Sequence, residues 1–437
     1  MKTSIIIMAA GKGTRMHSVL PKVLHKICGK PMISYIIQEA LAYSDDVHVI
    51  LGHEAQSIHA FLREHFPSVK EHLQDLIHCA GTGGALMQGV SKKAIAVCYD
   101  RVLILNGDMP LIHGGMIEKI LGQREDVVIG AMELENPSGY GRIVLKDDCV
   151  QSIIEEKDCS QEERKIKTVN AGIYAVNRLL LEEFIPRLNQ QNAQKEYYLT
   201  DIVQMAVEQG VRIGVAMGDA ESLMGVNNKI EQSRAEEILL DRLRKKAMLN
   251  GVIMHLPHTI YLEEDVEFVG ECEIYESVRL CGKTKIINSV IFSHSVIESS
   301  VIESSDVGPL AHIRPKSQIK NTHIGNFVEV KASSLDGVKA GHLSYLGDCE
   351  IHEGSNVGAG VITCNYDGLK KHPTKIGKNV FIGSDCQLIA PLVVESEVLI
   401  GAGTTVSKNC TKGDLVLSRT AQKNIPNGYY KFFKKQN

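Results

Sequence analysis

Six aliphatic residues, Ile376, Ile382, Leu388, Val394, Ile400 and Val406, recur at intervals of six without a slip. Two positions before each stands a small or modest side chain: Thr374, Val380, Cys386, Leu392, Val398 and Thr404. A period of six is neither the 3.6 of a helix nor the 2 of a simple strand. It is the period of a parallel β-helix with three flat faces, in which each hexapeptide forms one face and turns its aliphatic residue into a narrow triangular interior. Val301, Val307, Ile313 and Ile319 keep the same spacing earlier in the chain. The pattern breaks at Cys364–Lys375, where Asn365-Tyr366-Asp367-Gly368 and three lysines predict a protruding loop. Loops that leave a regular scaffold often carry function.

Residues 1–228 read differently. Aliphatic runs at Ser4–Met8, Val47–Leu51, Val102–Leu105 and Val127–Ala131 predict strands, with helices at Met32–Ala42 and Gly83–Val90 between them. Such alternation predicts an α/β domain with a largely parallel sheet. From Lys229 to Asn250 the chain is highly charged, with Leu239, Leu243 and Ala247 four apart on one face and Asn250-Gly251 as a stop. This predicts a linker helix over 229–250, with the solenoid occupying 251–437.

Composition narrows the function classes. A formal net charge of -4 lacks the basic excess of a nucleic-acid binder. No run of 18 apolar residues is available to span a membrane. Ile5-Ile6-Ile7-Met8 imitates the start of a leader, but Lys12 and Arg15 interrupt it too early, so a buried strand is expected. The 11 cysteines are odd in number and lack a C-x-x-C pair, as in a reduced cytoplasmic chain without disulfides or a zinc site.

Chemistry concentrates at three places. Ala9-Ala10-Gly11-Lys12-Gly13-Thr14-Arg15-Met16 follows the first strand, with Leu20-Pro21-Lys22 just after it. The spacing is not Walker A, and the third glycine of a dinucleotide fingerprint is missing. A glycine turn with backbone donors and two cations, Arg15 and Lys22, nevertheless suits a triphosphate. Asp108 ends the strand Val102–Leu105 on a glycine turn, where open α/β sheets bind ligands, and its carboxylate is suited either to Mg²⁺ or to capping a helix. In the repeats, Lys339-Ala340-Gly341-His342-Leu343-Ser344-Tyr345-Leu346-Gly347-Asp348 breaks the hexads. His342 there reads either as a surface residue or as a base titrating near neutrality.

The string G-x-G-T-R-M with P-K following resembles the opening of the sugar-1-phosphate nucleotidylyltransferases. Joined to hexapeptide repeats, it resembles the bacterial bifunctional family that is both N-acetylglucosamine-1-phosphate uridylyltransferase and glucosamine-1-phosphate N-acetyltransferase. Gly81-Thr82-Gly83, Gly107-Asp108-Met109-Pro110-Leu111, Gly139-Tyr140-Gly141-Arg142, Glu155-Glu156-Lys157-Asp158, Asn170-Ala171-Gly172 and Gly225-Val226-Asn227-Asn228 extend the similarity over nearly the whole chain.

The resemblance implies a Rossmann-like α/β nucleotidyltransferase domain with a mostly parallel sheet, followed by a left-handed parallel β-helix. It implies that Met8, Ala9, Ala10, Gly11, Gln74, Gly81 and Thr82 contact the uridine end of UTP, with Asn106, Gly107 and Asp108 continuing the site. Asp108 and Asn227 would hold Mg²⁺, and Arg15 and Lys22 would neutralise the phosphates. Gly141, Glu155 and Asn170 would meet the sugar. A sugar-1-phosphate oxygen would then attack the α-phosphorus in line, and pyrophosphate would leave without a protein nucleophile.

In the solenoid, the resemblance makes His342 the general base that deprotonates the amine of glucosamine-1-phosphate as it attacks acetyl-CoA. Arg314, Lys331, Tyr345, Asn356 and Lys371 would hold the sugar phosphate. Ala359, Asn365, Tyr366, Ser384, Ala402 and Arg419 match positions that serve acetyl-CoA or the oxyanion. The product, UDP-N-acetylglucosamine, would supply peptidoglycan and lipopolysaccharide precursors. A homotrimer with acyl sites between subunits is implied, and the tail Tyr429–Lys435 is expected to pack on a neighbouring subunit or form a partly ordered terminus. The chain departs from the family in having Asn106-Gly107-Asp108 for a common Tyr-Gly-Asp, and in a slightly longer stretch from Gln74 to Gly81. Two other readings compete: a single-activity pyrophosphorylase with a structural or regulatory β-helix, and a non-catalytic scaffold like the exchange-factor subunits of translation initiation. The Gly341-His342 segment and the Asn365-Tyr366 loop oppose the first, and Arg15, Lys22, Asp108 and Asn227 together oppose the second.

Overall fold

Thr3 to Ile7 are all buried in strand β1 (Thr3–Met8), whose side chains alternate between two separate cores. Ile5 and Ile7 pack with Val49 and Ile36, whereas Ile6 packs with Ile104, Ile129 and Phe184. A strand covered on both faces must read as a continuous aliphatic run, which accounts for Ile5-Ile6-Ile7. The structure, a computed structural model, describes residues 2–147 and 149–433.

β1 pairs in parallel with β2 (Asp46–Leu51), β3 (Lys70–Leu73) lies beyond β2, and β4 (Arg101–Asn106) flanks the other side of β1. The remaining strands are β5 (Val127–Glu133), β6 (Arg142–Lys146), β7 (Cys149–Ile154), β8 (Thr168–Asn177) and β9 (Ile213–Met217). They complete the order β9-β5-β8-β4-β1-β2-β3, in which β8 is antiparallel to its neighbours and the β6–β7 pair hangs off β8. Helices α1 (Met32–Tyr43), α2 (Ala55–His65) and α3 (Gly114–Leu121) cover one face, and α4 (Arg178–Phe184) and α5 (Asp201–Glu208) cover the other.

The helix expected over Gly83–Val90 does not form. Short 3-10 turns at Gly84–Leu86 and Gly89–Ser91 replace it. Gly84 lies where a Cβ would overlap the Cys79 carbonyl, and Gly89 has φ of 52°. These glycines serve close approach and turning, at the expense of helix propensity.

Helix α6 spans Lys229–Leu249, and the division into two compact units, Met1–Leu239 and Leu240–Asn437, falls inside it. Its buried residues are Ala235, Leu240, Arg244 and Ala247, so the inward face is rotated from the expected one and Leu239 and Leu243 are half-buried. A reciprocal cap begins it: the Glu231 amide donates to Asn228 Oδ1 at 2.9 Å, and the Glu231 carboxylate accepts from the Asn227 amide at 2.6 Å.

The second unit is a left-handed parallel β-helix with sheets of 10, 9 and 8 strands. All the hexad aliphatics from Ile376 to Val406 and their partners two residues earlier are buried. Phe381 pairs with Leu399, so this turn advances 18 residues, or three hexads. Earlier turns are shorter, since Val301 pairs with Gln318 and Gln318 with Ser334. With residues missing from corners, the expected inward Val301 is only half-buried, and Ile302 takes the interior position beside Val307, Ile313 and Ile319.

Shortened corners leave buried N–H groups that need acceptors. A column of hydroxyls supplies them: Ser289 Oγ accepts from the Ser305 amide, Ser305 Oγ from Thr322 and Thr322 Oγ1 from Val338, at 3.1, 3.0 and 3.1 Å. Each hydroxyl donates in turn to a carbonyl, so both roles are satisfied. Only between Ile362–Cys364 and Thr374–Ile376 does a long segment, 365–373, leave the coil. At the C-terminus, Gly428–Phe433 is helical, and Lys434 and Lys435 of the expected tail lie outside the described residues.

Candidate active sites

Met8 stands opposite Asn106, so the glycine loop after β1 and the turn after β4 leave from the same edge, the carboxyl end of parallel strands. Gly13, with φ of 61°, bends the loop into the Thr14–Met16 turn. The Gly107 amide donates to the Met8 carbonyl at 2.8 Å, and a Cβ there would press on Met8 and Ala9. Gly107 therefore joins the two loops, and its N–H is already engaged.

Two cavities open at this edge. The larger, about 520 Å³, is bounded by Ala9, Ala10, Gly11, Lys22, Gln74 and Gly81. The smaller, about 330 Å³, is bounded by Arg15, Gly141, Glu155, Asn170 and Asn227. Met8, Thr82, Asn106 and Asp108 line both, so two ligands bound here would meet at Asp108.

The Lys22 ammonium sits at that meeting point, ion-paired to Asp108 and donating to Asn227 Oδ1 at 3.1 Å. Asp108 is tied to the Asn227 segment, because its carbonyl accepts from the Val226 amide at 2.8 Å. A carboxylate and an amide oxygen converging on one cation form a donor set that fits Mg²⁺, which takes one or two protein oxygens and completes its shell from phosphates and water. The cations are divided: Lys22 serves this junction, while Arg15 is exposed and faces the smaller cavity.

Gln74 is buried, and its amide nitrogen donates to the carbonyls of Cys79 and Gly81 at 2.7 and 3.0 Å. A ligand would therefore find its carbonyl oxygen. Thr82 Oγ1 accepts from the Leu199 amide at 3.0 Å. Across the smaller cavity, Asn170 donates to the Tyr174 hydroxyl at 2.6 Å and accepts from the Gly172 amide at 3.0 Å. Thr200, a lining residue missed by sequence reasoning, donates to Glu155 Oε1 at 3.2 Å.

Burial pushes the Glu155 carboxyl upward, with Asp201 and Asp158 adding repulsion. Burial first, then Asp158, lifts Asp201 to about 6. The folded chain thus holds the Asp201 proton more tightly than the unfolded chain, whose carboxyl titrates near about 3.9. The stability this group contributes is fully present below that value and is lost as pH rises through about 6. Asp201→Asn should therefore flatten the fall in the first unfolding midpoint between about pH 4 and pH 6.5, followed by calorimetry. An unchanged slope would mean that Asp201 titrates as an ordinary surface carboxylate.

In the β-helix, His342 ends the strand Lys339–His342, opposite Asn326 of the previous turn. It is exposed, and its imidazole has no hydrogen-bond partner among the described residues. Leu343, with φ of 50°, turns the corner, and Tyr345 opens the next face, stacked above Glu329. Arg314 contacts Glu329 at 2.9 Å, and Lys331 lies 3.8 Å from Asp348. The 365–373 loop folds back and brings Lys371 against Lys331, whose neighbouring ammonium lowers the Lys371 pKa. Two adjacent ammonium groups are relieved by an anion.

Asp367 ties this loop by accepting from the amides of Leu369 and Lys370 at 2.8 and 2.6 Å. Tyr366 is exposed and donates to the Gly368 carbonyl. Asn365 donates to the Tyr345 hydroxyl at 3.3 Å and to Asp348, so it joins the cationic cluster, and Asp348 emerges as the group organising that cluster. Asn356 lines a third cavity, about 500 Å³, with Gly358, Ser384, Ala402 and Arg419. Ala359 follows Gly358 at that corner, and Arg419 Nε donates to the Ala402 carbonyl at 3.0 Å. A Cβ on Gly358 or Gly383 would collide with the backbone of the next turn, so the corner stays narrow and smooth.

Residues 5–166 match the family model of the MobA-like NTP transferase domain, and residues 373–408 match that of the bacterial transferase hexapeptide (six repeats). Over 448 aligned residues, covering 100% of this chain and 99% of the relative, the chain is 55% identical to a protein of Helicobacter hepaticus named Bifunctional protein GlmU. Proteins of the same name from Campylobacter jejuni subsp. doylei and Nitratiruptor sp. are each 52% identical over 435 residues, covering 100% of both chains. No helix of the described residues is long and apolar enough to cross a membrane.

Proposed function

The chain belongs to the family of the bifunctional protein GlmU, and from that premise we propose how its residues carry the two transfers. The protein is a bifunctional transferase. Its C-terminal unit acetylates glucosamine-1-phosphate from acetyl-CoA, and its N-terminal unit couples N-acetylglucosamine-1-phosphate to UMP from UTP, giving UDP-N-acetylglucosamine and pyrophosphate.

In our assignment, residues 251–437 acetylate, residues 1–228 transfer the uridylyl group, and 229–250 link them. Arg314, Lys331, Lys371 and Tyr345 bind the sugar phosphate. His342 removes a proton from the amine as nitrogen attacks the thioester carbonyl and the CoA thiolate departs. The narrow corner at Asn356, Ala359, Ser384 and Ala402 suits the thin pantetheine arm, with the Arg419 guanidinium available to a phosphate and Asn365 and Tyr366 near the reacting end.

In the N-terminal unit, Met8 to Gly11, Gln74, Gly81 and Thr82 hold UTP in the larger cavity, and Gly141, Glu155 and Asn170 hold the sugar in the smaller one. Asp108 and Asn227 would hold Mg²⁺, which supplies charge neutralisation on phosphate oxygens when bound. Lys22 and Arg15 then face the reacting phosphates from the two sides, so catalysis is positioning and electrostatics. The observation that carries this reading is the shared border of the two cavities at Asp108.

We further propose a homotrimer working in the cytoplasm. What supports the trimer is the apolar rim of the third cavity, since Phe381, Leu399, Leu415 and Leu417 are all exposed there. The test supplies glucosamine-1-phosphate, acetyl-CoA and UTP together. CoA, pyrophosphate and UDP-N-acetylglucosamine are expected, with chelation by EDTA stopping pyrophosphate release while CoA release continues. CoA release that stops with chelation, or no acetylation at all, would refute the two-site reading.

A further inference from the structure

Resting on that reading, we propose that Glu231 is a positioning residue for uridylyl transfer, whose carboxylate holds the Asn227 side-chain oxygen at the place where Mg²⁺ binds. Asn227 belongs to no strand or helix, so its place depends on what its backbone is tied to. Three successive amides supply the ties. The Gly225 amide faces the Tyr140 hydroxyl, the Val226 amide donates to the Asp108 carbonyl at 2.8 Å, and the Asn227 amide donates to Glu231 Oε2 at 2.6 Å. The bond to Glu231 is charge-assisted, and it acts on the residue that carries the ligand oxygen.

Glu231 does more here than begin a helix. In a capping box, the acidic residue on the third helical position returns to the amide of the N-cap itself. Asn228 is the N-cap of α6, and its side-chain oxygen accepts from the Glu231 amide at 2.9 Å. The Glu231 carboxylate nevertheless passes the Asn228 backbone and takes the amide one residue earlier, that of Asn227. Its other oxygen, Oε1, accepts from the Asn228 side-chain amide at 2.8 Å, so both oxygens are engaged.

The helix that carries Glu231 is itself fastened. Ala235 packs with Val226, Met32 and Tyr35 in a small core, and the Cys28 amide donates to Glu236 Oε1 at 2.9 Å. At the far end of Asn227, Nδ2 lies 3.5 Å from the Gly225 carbonyl, which leaves Oδ1 turned toward Lys22 and Asp108. Placement of a ligand oxygen is thereby passed from a packed helix to the junction of the two cavities. Groups that orient a metal ligand typically matter for metal affinity by one to two orders of magnitude, about 10–100-fold.

The experiment compares Glu231→Ala, Glu231→Gln and Asn227→Ala with the parent, as whole chains. Mn²⁺ is the metal probe, with free Mn²⁺ read by electron paramagnetic resonance in the presence of UDP-N-acetylglucosamine, and CoA release is the control for folding. Glu231→Ala should weaken Mn²⁺ binding about tenfold and raise the Mg²⁺ concentration for half-maximal pyrophosphate release by a similar factor. The kcat at saturating Mg²⁺ should stay near the parent value. Glu231→Gln keeps an acceptor for the Asn227 amide and should recover most of the affinity. If Glu231→Ala melts at a lower temperature but binds Mn²⁺ as the parent does, Glu231 only caps the helix and the proposal is wrong. It is equally wrong if Glu231→Gln is as impaired as Glu231→Ala, because charge and not the hydrogen bond would then be acting. An Asn227→Ala protein that binds Mn²⁺ like the parent would overturn the metal assignment itself, whereas a weakened Asn227→Ala beside an indifferent Glu231→Ala overturns only the present proposal.

Discussion

His342→Ala is expected to slow acetyl transfer to glucosamine-1-phosphate by about 10²–10⁴-fold, while Mg²⁺-dependent coupling of N-acetylglucosamine-1-phosphate to UTP stays near wild type. The amine of the sugar phosphate is protonated at neutral pH and cannot attack a thioester until it loses a proton. His342 is exposed at a corner with its imidazole unpaired, and its replacement removes no buried contact. Stability should therefore be unchanged. Separate measurement of CoA release and pyrophosphate release decides the matter: acetyl transfer retained at wild-type rate would exclude His342 as the base.

The converse loss is expected for Asp108→Asn, which should lower pyrophosphate release by about 10²–10³-fold and leave CoA release intact. The substitution keeps the side-chain volume but discards the charge that pairs with Lys22 at the border of the two cavities. An amide oxygen is a poorer partner for a hard cation than a carboxylate, so both the lysine and the metal are left with neutral donors. Raised Mg²⁺ should recover part of the rate if the lost ligand is the cause. A folded Asp108→Asn protein with parental UTP coupling would remove Asp108 from the chemistry, and a variant at either position that lost both activities would contradict independent sites.

The solenoid was legible because its interior repeats: one inward position in six is filled by an aliphatic residue from Ile376 to Val406, and every one of them is buried. Legibility failed at Val301, where a shortened corner moved the inward position to Ile302, a change that a strict period cannot register. It failed at Gly83–Val90 for another reason. Apolar spacing suggested a helix, but close packing against Cys79 decided the backbone.

Site residues show the same divide. Lys22, Asp108 and Asn227 are far apart in the chain, and no periodicity joins them; their motifs suggested one site, and sheet order together with the α6 cap is what brings them together. Asn356 shares a cavity with Ala402 and Arg419 and Asn365 bonds the Tyr345 hydroxyl because turn-on-turn stacking, hidden in a linear reading, decides which neighbours each meets.

The hydroxyl column of Ser289, Ser305 and Thr322 bears on how such a coil changes over descent. A tube made only of complete hexapeptides can alter its length by whole circuits of 18 residues and keep its ladder. Where a buried hydroxyl takes over an orphaned amide, one codon can be lost at a corner and the hydrogen bonding still closes. A hydroxyl in that column is therefore coupled to the length of its corner, and its loss would strand the amide it accepts from. Among the described residues, by contrast, the complete 18-residue circuits bury Thr374 and Thr404 without calling on their hydroxyls.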